Sequence, residues 1–289
     1  MNYRHHFHAG NFADVMKHVL LVRLILALQK KEKGFLYLDT HAGRGSYDLS
    51  SAEKGDTLAR KPEFPDGIGR LWNRTDAPPA ASAYLELIRK FDRERGSSGD
   101  VPRFYPGSPS IARSLARPQD RLVLYERHAE EAELLDIEFG REPRVQVNAL
   151  DGYGALRAVL PSPERRALVL VDPPFEAQDE FARVAAAVGE GLARLSSAVI
   201  AIWYPLTERA RVDAFFAELL ALKLPPTLEL ELMIAGDSSA LKLKGCGLVV
   251  INPPWMFERE AGEILRWLAD ALAQEAGGGS RVRWLVAEK

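Results

Sequence analysis

Residues Arg166–Phe175 read R-A-L-V-L-V-D-P-P-F, and this stretch decides the fold. Five apolar residues, Ala167–Val171, lie between a charged pair and Asp172-Pro173-Pro174. A short continuous apolar run of this kind is typical of a strand that is buried on both faces of a parallel sheet. The prolines end the strand because they lack a backbone N–H and fix φ. The pattern therefore predicts Asp172 at the carboxyl end of a central strand, where open α/β sheets bind their ligands.

The D-P-P-F tetrapeptide has the residue types that methylation of an amino group on an aromatic base requires. The lone pair of the 6-amino group of adenine is delocalised into the ring, so a site must hold the group in plane and accept positive charge as the new bond forms. Asp172 can accept one amino hydrogen and the carbonyl of Pro173 can accept the other. Phe175 can stack on the base, which is worth about 1–3 kcal/mol. The alternative is a strand that ends in a rigid turn with an exposed Asp, and the tetrapeptide alone favours that alternative because short motifs often match by chance.

Composition restricts the class of protein. The chain has 289 residues, is 47% hydrophobic and contains one cysteine, Cys246, so an intramolecular disulfide and a cysteine-based metal cage are excluded. The start is polar and rich in histidine, and no segment has the length of a membrane span, so we expect a cytoplasmic protein without a membrane partner. The net charge of −2 weakly disfavours a nucleic-acid partner, so such contacts must come from local basic patches.

The first ten residues, M-N-Y-R-H-H-F-H-A-G, combine basic and aromatic side chains. Three histidines in four positions could indicate a metal, but no acidic or cysteine partner is near and no i, i+4 histidine pair exists, so we predict no metal site. We interpret Met1–Gly10 as a mobile arm that contacts a nucleic acid. Asn11 is a good N-cap for a helix that runs to about Lys31 and carries Lys17 and His18 on its first turns.

Three further predicted strands also end near an acidic residue. The strand Phe35–Asp39 is followed by T-H-A-G-R-G, in which glycines admit a nucleotide-like cofactor close to the backbone. His41 stands where the usual motif has glycine, so we expect its side chain to touch the cofactor. Glu126 ends the next strand and is placed for ribose hydroxyls, and Asp151 follows the third and is placed for the cofactor's adenine. These acids, each at a strand's carboxyl end with Asp172, favour a functional site over a structural turn.

The spacing along the chain predicts an inserted unit. An acid that binds ribose normally follows the glycine-rich turn by about 20 residues, whereas Glu126 lies much farther from Gly45. We therefore predict an α/β fold in which residues 1–45 and 104–289 form the sheet domain and residues 46–103 form a small inserted helical subdomain. The main fold restarts at Y-P-G-S-P, where Ser108 is predicted to be the N-cap of a helix.

A second tetrapeptide, Asn252-Pro253-Pro254-Trp255, also fits the amino-methyltransferase pattern after an apolar strand. It follows three further strands, where the sheet is expected to turn antiparallel, and no cofactor residue immediately precedes it. We therefore favour Asp172 as the catalytic residue and interpret Asn252 as part of a structural turn.

These motifs resemble those of the RlmJ-type methyltransferases, which act on the 6-amino group of an adenine in 23S ribosomal RNA. The resemblance rests on H-A-G-N-F-A-D-V-M-K-H (His8–His18), L-D-T-H-A-G-R-G, Y-P-G-S-P and D-P-P-F, and it spans essentially the whole chain. It implies a Rossmann-like class I methyltransferase sheet with a helical insertion, S-adenosylmethionine as the methyl donor and S-adenosylhomocysteine as the product. It implies cofactor contacts from seven residues: His18, His41, Ser108, Glu126, Asp151, Gly152 and Asp172.

The resemblance also implies the substrate side of the site. It assigns catalysis to Asp172, with Pro173 and Phe175 beside it, and it implies that the amino-terminal segment covers the cofactor with Tyr3 near the substrate. Arg4 and Lys17 are further candidates for substrate binding because they are cationic. Phe175 stands where the family often has Tyr, so stacking is kept while a hydroxyl contact is lost. We expect the partner to be 23S ribosomal RNA, protein-free or in an early assembly intermediate, and the enzyme to be a monomer.

Two alternatives stay open, and the second belongs to another class of protein. A DNA adenine-N6 methyltransferase would have the same site, although the sequence has no obvious separate target-recognition domain, which favours RNA. A non-catalytic nucleotide- or RNA-binding module would not need an intact D-P-P-F together with the cofactor acids. Cytosine 5-methylation is disfavoured because no cysteine follows the catalytic strand, and a hydrolase is disfavoured because a nucleophile elbow is missing.

Overall fold

Eight strands form one mixed sheet in the computed structural model, which describes residues 7–53, 61–236 and 238–288. The strands in chain order are β1 (Leu36–Asp39), β2 (Ser46–Asp48), β3 (Phe104–Pro106), β4 (Arg121–Tyr125), β5 (Val145–Asn148), β6 (Ala167–Val171), β7 (Val199–Pro205), β8 (Thr227–Met233), β9 (Gly245–Ile251) and β10 (Gly279–Val286). The helices are α1 (Phe12–Gln29), α2 (Ser50–Glu53), α3 (Ile68–Leu71), α4 (Pro79–Glu94), α5 (Ser108–Leu115), α6 (Ala129–Phe139), α7 (Ala155–Val159), α8 (Glu180–Arg194), α9 (Arg209–Ala221) and α10 (Phe257–Ala271).

The sheet has the order β5-β4-β1-β6-β7-β9-β8-β10. The first five strands in this order are parallel, so β1, β4, β5, β6 and β7 end at the same edge of the sheet. Strand β9 is antiparallel to β7 and places Ile251 beside Ile200, near the start of β7. Strands β8 and β10 continue the antiparallel part. The predicted α/β class is confirmed, and so is the predicted change to antiparallel strands after β7.

Strand β6 explains why the sheet has a core on both faces. All five of its residues are buried, and their side chains alternate as the period of two in a strand requires. Leu168 and Leu170 join the core formed with α1, α4, α5 and α10. Ala167, Val169 and Val171 join the core formed with α7, α8 and α9. The continuous apolar run in the sequence is therefore the signature of burial on both faces.

The segment before α1 differs from the predicted mobile arm. Phe7 and Ala9 are 2% and 1% exposed, and the carbonyl of Phe7 accepts a hydrogen bond from the backbone N–H of Glu63. Gly10 turns the chain with a φ of +75°, and its carbonyl accepts from Ile68. The arm prediction is wrong for residues 7–10, because the side chains of Phe7 and Ala9 are buried and the backbone carbonyls of Phe7 and Gly10 are bonded to the insertion. Residues 1–6, which include the predicted contacts Tyr3 and Arg4, lie outside the described residues.

Residues 46–103 leave the sheet after β1 and return to it before α5. Strands β2 and β3, which the sequence did not predict, pair antiparallel at the base of this segment. Helix α4 is amphipathic, and its apolar face, which includes Tyr84, Ile88 and Phe91, lies against α1 and α10. The helical part of the insertion therefore shares one core with the sheet domain.

None of the helices within residues 7–53, 61–236 and 238–288 is long and apolar enough to cross a membrane.

Candidate active site

A cleft of about 1680 Å³ opens at the edge where the parallel strands end. The described residues that the sequence predicted for the site all line it: Lys17, His18, His41, Ser108, Glu126, Asp151, Gly152, Asp172, Pro173 and Phe175. They come from α1, α5 and the loops after β1, β4, β5 and β6. The parallel topology therefore brings together residues that are far apart in the sequence, as the positions of the strand ends predicted.

The glycine-rich turn after β1 is held by the acid after β4. Gly43 and Gly45 have φ values of +61° and +85°, a left-handed conformation that side chains other than glycine rarely adopt. The backbone N–H of Gly43 donates to Glu126 Oε2 at 2.8 Å, and the N–H of His128 donates to Glu126 Oε1 at 2.7 Å. Both oxygens of Glu126 are thereby fixed in direction. A carboxylate accepts about four hydrogen bonds, so two hydroxyl groups of a ribose can still be accommodated.

Ser108 does not cap the helix as predicted. Gly107 is the residue before α5, and Ser108 is the first residue of the helix. The hydroxyl of Ser108 donates to Asp39 Oδ2 at 2.6 Å, and the hydroxyl of Tyr37 donates to the same oxygen at 2.7 Å. The prediction is wrong because the helix begins one residue earlier than expected, so Ser108 lies inside its first turn and its hydroxyl donates to the buried carboxylate at the end of β1. Burial raises the pKa of Asp39 to about 6 despite these hydrogen bonds.

His41 lies between the end of β1 and the cleft. Its Nδ1 atom is 2.8 Å from the hydroxyl oxygen of Thr40, and its backbone N–H donates to Asp39 Oδ1 at 3.3 Å. The edge of its ring meets the ring of Tyr153 with a centroid distance of 5.0 Å. Burial lowers the pKa of His41 to about 4, so the ring is neutral near pH 7.

The loop after β5 is packed tightly against the loop after β1. A Cβ atom on Gly152 would lie 1.8 Å from the carbonyl oxygen of Thr40, so only glycine fits there. Asp151 accepts from the backbone N–H of Tyr153 at 3.0 Å and from Arg183 Nη2 at 2.8 Å. The Arg183 guanidinium in turn lies 3.9 Å from the centre of the Tyr153 ring. The predicted acceptor for an adenine amino group is thus oriented by two neighbours at the cleft wall.

A buried lysine connects α1 to the end of β6. Lys17 Nζ lies 2.6 Å from Asp172 Oδ2 and 2.8 Å from Asp14 Oδ1, and the side chain of Lys17 is 6% exposed. Burial disfavours the ammonium form, but the two carboxylates outweigh it and raise the pKa of Lys17 well above its usual value. Asp14 also accepts from the backbone N–H of Gly10. Lys17 therefore stays charged and holds one oxygen of Asp172 in a fixed direction.

The aromatic residue of the D-P-P-F motif belongs to a cluster of rings. Phe175 has a φ of +51°, and its ring lies 4.7 Å from the ring of Phe181 and 5.9 Å from that of Trp203. These neighbours hold the Phe175 ring at the wall of the cleft. Its predicted stacking on a base stays a prediction.

His18 is connected to the insertion through two tyrosines that the sequence did not single out for the site. Its Nδ1 atom lies 2.8 Å from the hydroxyl of Tyr105, which lies 3.0 Å from the hydroxyl of Tyr84 on α4. Burial raises the pKa of both tyrosines, so both hydroxyls stay protonated. No sequence pattern indicates this series of hydrogen bonds from His18 to the two tyrosines. The i, i+3 spacing of Asp14 and Lys17 on one helix, by contrast, could have indicated their ion pair.

The second tetrapeptide lies at the opposite edge of the sheet. The amide of Asn252 donates to the carbonyls of Ser196 and Ala198 at 2.9 and 2.8 Å. Asn252 itself has a φ of +53°, and Trp255 is 79% exposed. The residues lining the cleft within the described part of the chain do not include this motif. The structure therefore has a turn at N-P-P-W, and the amide of Asn252 ties this turn to the segment before β7.

Comparison with known proteins reveals similarity over the full length of the chain. The family model described as "Ribosomal RNA large subunit methyltransferase D, RlmJ" matches residues 32–286. Ribosomal RNA large subunit methyltransferase J of Escherichia coli (strain K12) is 40% identical over 288 residues, and that of Haemophilus influenzae is 41% identical over 288 residues, with 100% of both chains covered in each case. The crystal structure of protein LPL1258 from Legionella pneumophila str. Philadelphia 1 has a TM-score of 0.84 and 32% identity, and the match covers 96% of this chain and 98% of that one.

Proposed function

This chain belongs to the RlmJ family of ribosomal RNA large subunit methyltransferases, and we propose that its cleft transfers a methyl group from S-adenosylmethionine to the 6-amino group of one adenine in 23S ribosomal RNA. It is an S-adenosylmethionine-dependent methyltransferase of ribosomal RNA. The observation that carries the proposed chemistry is the position of Asp172, which lies at the end of β6 in the same cleft as the acids after β4 and β5.

The residues after β1, β4 and β5 fit a nucleoside. Glycine is required at Gly152 because the Thr40 carbonyl lies against it, and this close packing of the loops after β1 and β5 places His41 and Asp151 on the wall of the same cleft. Glu126 is oriented by two backbone N–H groups and is suited to accept from ribose hydroxyls. Asp151 is suited to accept from an adenine amino group. When bound, S-adenosylmethionine supplies a methyl group activated by its sulfonium.

Asp172 orients the amino group that receives the methyl. Its Oδ2 atom is held by Lys17, and its Oδ1 atom makes no hydrogen bond to the described residues. We assign Oδ1 to one amino hydrogen and the Pro173 carbonyl to the other. Since Lys17 fixes the direction of Oδ2, we expect Asp172 to align the amino group during transfer. It then accepts a proton from the nitrogen once that nitrogen bears the new methyl group and has become acidic.

The sequence predicted that Lys17 binds the substrate, but its position in the structure favours another role. Its ammonium group is 2.6 Å and 2.8 Å from two carboxylates, so it is already paired on the side that faces Asp172. We propose that Lys17 positions Asp172 and that contacts to RNA are made by other residues. Tyr3 and Arg4 keep their predicted roles as substrate contacts, outside the described residues.

The finer description of the substrate is also part of the proposal. We propose that the enzyme acts as a monomer in the cytoplasm, where ribosomal RNA is made and assembled. We propose that it methylates 23S ribosomal RNA that is protein-free or in an early assembly intermediate. A flipped adenine costs least to extrude when it is unpaired, which favours a loop or bulge as the target.

The test is transfer of radiolabelled methyl groups to three substrates: a 23S transcript, duplex DNA and assembled large subunits. We expect labelling of the transcript, recovery of the label as N6-methyladenosine after digestion to nucleosides, and labelling that is about 10³-fold slower with Asp172→Ala. Preferential labelling of DNA would favour the DNA methyltransferase alternative, and preferential labelling of assembled subunits would contradict the proposed stage of assembly.

A further inference from the structure

Thr40 is buried directly beside His41, at the point where β1 meets the cleft. Its hydroxyl oxygen lies 2.8 Å from His41 Nδ1 and 3.1 Å from the carbonyl oxygen of Leu170 on β6. Thr40 is 1% exposed, so solvent does not compete for these two contacts. The hydroxyl thus lies between a ring nitrogen that can be a hydrogen-bond donor or acceptor and a carbonyl oxygen that can only be an acceptor.

The fixed role of the carbonyl determines where the hydrogens lie. A carbonyl oxygen only accepts, so the hydroxyl hydrogen of Thr40 points to Leu170. The hydroxyl oxygen then has lone pairs alone for His41, and the 2.8 Å contact requires a hydrogen on Nδ1. The reverse arrangement leaves two acceptor oxygens 3.1 Å apart with no hydrogen between them.

We infer that Thr40 holds His41 in the tautomer that carries its hydrogen on Nδ1, so that Nε2 presents a lone pair to the cleft as an acceptor for the methyl donor. The ring is neutral near pH 7 because burial lowers its pKa to about 4, and a neutral ring has one N–H. His41 lines the cleft, and Nε2 has no hydrogen-bond partner among the described residues. Free imidazole side chains favour the opposite tautomer, so the protein imposes this one.

The partner of Nε2 follows from the other groups of the cleft, and this step rests on the proposed function. The donor molecule carries two kinds of strong hydrogen-bond donor near its reactive centre, the ribose hydroxyls and the α-ammonium of its methionyl end. Glu126 is oriented for the hydroxyls by two backbone N–H groups. The acceptor at His41 is therefore assigned to the α-ammonium, and Thr40 is a positioning residue that acts through His41.

His18 provides an internal contrast, because its Nδ1 contact has the opposite direction. The hydroxyl of Tyr84 has one hydrogen-bond partner among the described residues, Tyr105, and it must donate to that partner to place its buried hydrogen. Tyr105 then donates to His18 Nδ1, which leaves the ring hydrogen of a neutral His18 on Nε2. The two histidines of the cleft thus carry their ring hydrogens on different nitrogens.

The tautomers can be measured in the protein without any ligand. Nitrogen-15 spectra of histidine-labelled wild type, with His41→Gln and His18→Gln for assignment, should show a hydrogen on Nδ1 of His41 and on Nε2 of His18. Thr40→Val and Thr40→Ala remove the hydroxyl and should move the His41 hydrogen to Nε2. Thr40→Ser keeps the hydroxyl and should keep the wild-type tautomer. A hydrogen on Nε2 of His41 in wild type would overturn the inference.

Calorimetry with S-adenosylhomocysteine tests the consequence for binding. If about one fifth of His41 rings keep an acceptor on Nε2 without Thr40, Kd should rise roughly fivefold in Thr40→Val and Thr40→Ala. Thr40→Ser should bind within about twofold of wild type, which a merely structural role of the side chain would not require. A tautomer that changes with unchanged affinity would overturn the role of His41 as acceptor.

A third measurement distinguishes the group that His41 recognises. Methylthioadenosine keeps the ribose and lacks the methionyl end, so its affinity should be the same in wild type and Thr40→Val. An equal loss for both ligands would overturn the assignment to the α-ammonium. Failure of wild type to bind S-adenosylhomocysteine would instead reject the proposed function, while the spectra would still decide whether Thr40 sets the tautomer.

Discussion

The D-P-P-F and N-P-P-W tetrapeptides have similar sequences and opposite environments. Each follows a fully buried strand, but the residue with positive φ is the last one in the first motif, Phe175 at +51°, and the first one in the second motif, Asn252 at +53°. Asp172 faces the cleft and pairs with Lys17. Asn252 uses its amide to bind two backbone carbonyls.

The difference between the two motifs arises from the direction of the strand before them. Strand β6 is parallel to β1 and ends where the cofactor acids lie, whereas β9 is antiparallel to β7 and ends at the other edge of the sheet. A chemically suitable motif thus becomes a site only where topology delivers it to the other groups. The following predictions test that statement.

The largest effect is expected at the first residue of each tetrapeptide. Asp172→Ala should lower methyl transfer by about 10³-fold, since it removes both the orienting acceptor and the proton acceptor. Asn252→Ala should leave the rate per folded molecule unchanged and lower the free energy of unfolding by about 1–3 kcal/mol, because two carbonyls lose their donor. Methyl-transfer rates and thermal unfolding of both variants measure this. A folded but inactive Asn252→Ala beside an active Asp172→Ala would reverse the assignment.

Some parts of the fold and the site could be predicted from the sequence, and others could not. The apolar run at Ala167–Val171 predicted the buried strand, and the order of the strand ends predicted which acids would meet, because parallel strands share an edge. The strand pair β2–β3 was missed because each strand has only three residues. The predictions of an N-cap at Ser108 and of a mobile arm at residues 7–10 are wrong for the same reason. Both segments bond to residues that are distant in the sequence, and local sequence propensity gives no information about such partners.

Asp39 and His41, at the edge of the sheet that forms the cleft, should make the free energy of unfolding depend on pH, whereas Asn252 at the other edge should not. Burial raises the pKa of Asp39 from 3.8 to about 6, so between these values the folded state binds more protons and stability falls as pH rises, by about 3 kcal/mol in total. Burial lowers the pKa of His41 from 6.5 to about 4, so stability rises with pH over that window. The two effects oppose each other in wild type. Denaturant unfolding between pH 4 and 7 should show a rising profile for Asp39→Asn and a falling profile for His41→Gln.

Asn252→Ala is the control for this measurement because it lies at the other edge and does not titrate. Its loss of stability should be the same at every pH in the window. Parallel profiles for Asp39→Asn and His41→Gln would show that these two groups are not the titrating residues.

A somewhat smaller effect is expected when the cation behind Asp172 is removed. Lys17→Met should lower kcat by about 10²-fold, since displacement of a positioning group by about 1 Å costs that much. KM for RNA should change little, because Lys17 is paired with two carboxylates inside the protein. Steady-state kinetics measure this, with thermal unfolding to correct for lost stability. A rise in KM with unchanged kcat would restore the predicted role of Lys17 in binding substrate.

The smallest effects are expected at the last residue of each tetrapeptide, where both motifs carry an aromatic ring. Phe175 lines the cleft and is held by Phe181 and Trp203, so Phe175→Ala should weaken RNA binding by about 1–3 kcal/mol if a base stacks there. Trp255 is 79% exposed at the other edge, so Trp255→Ala should leave both RNA affinity and stability within about 0.5 kcal/mol of wild type. Phe175→Tyr keeps an aromatic ring, so its affinity for RNA should equal that of wild type if the ring is what the base contacts. Filter binding at fixed salt gives the three affinities. A loss at Trp255 comparable to that at Phe175 would mean that the RNA reaches both edges of the sheet, and that topology alone does not separate the two motifs.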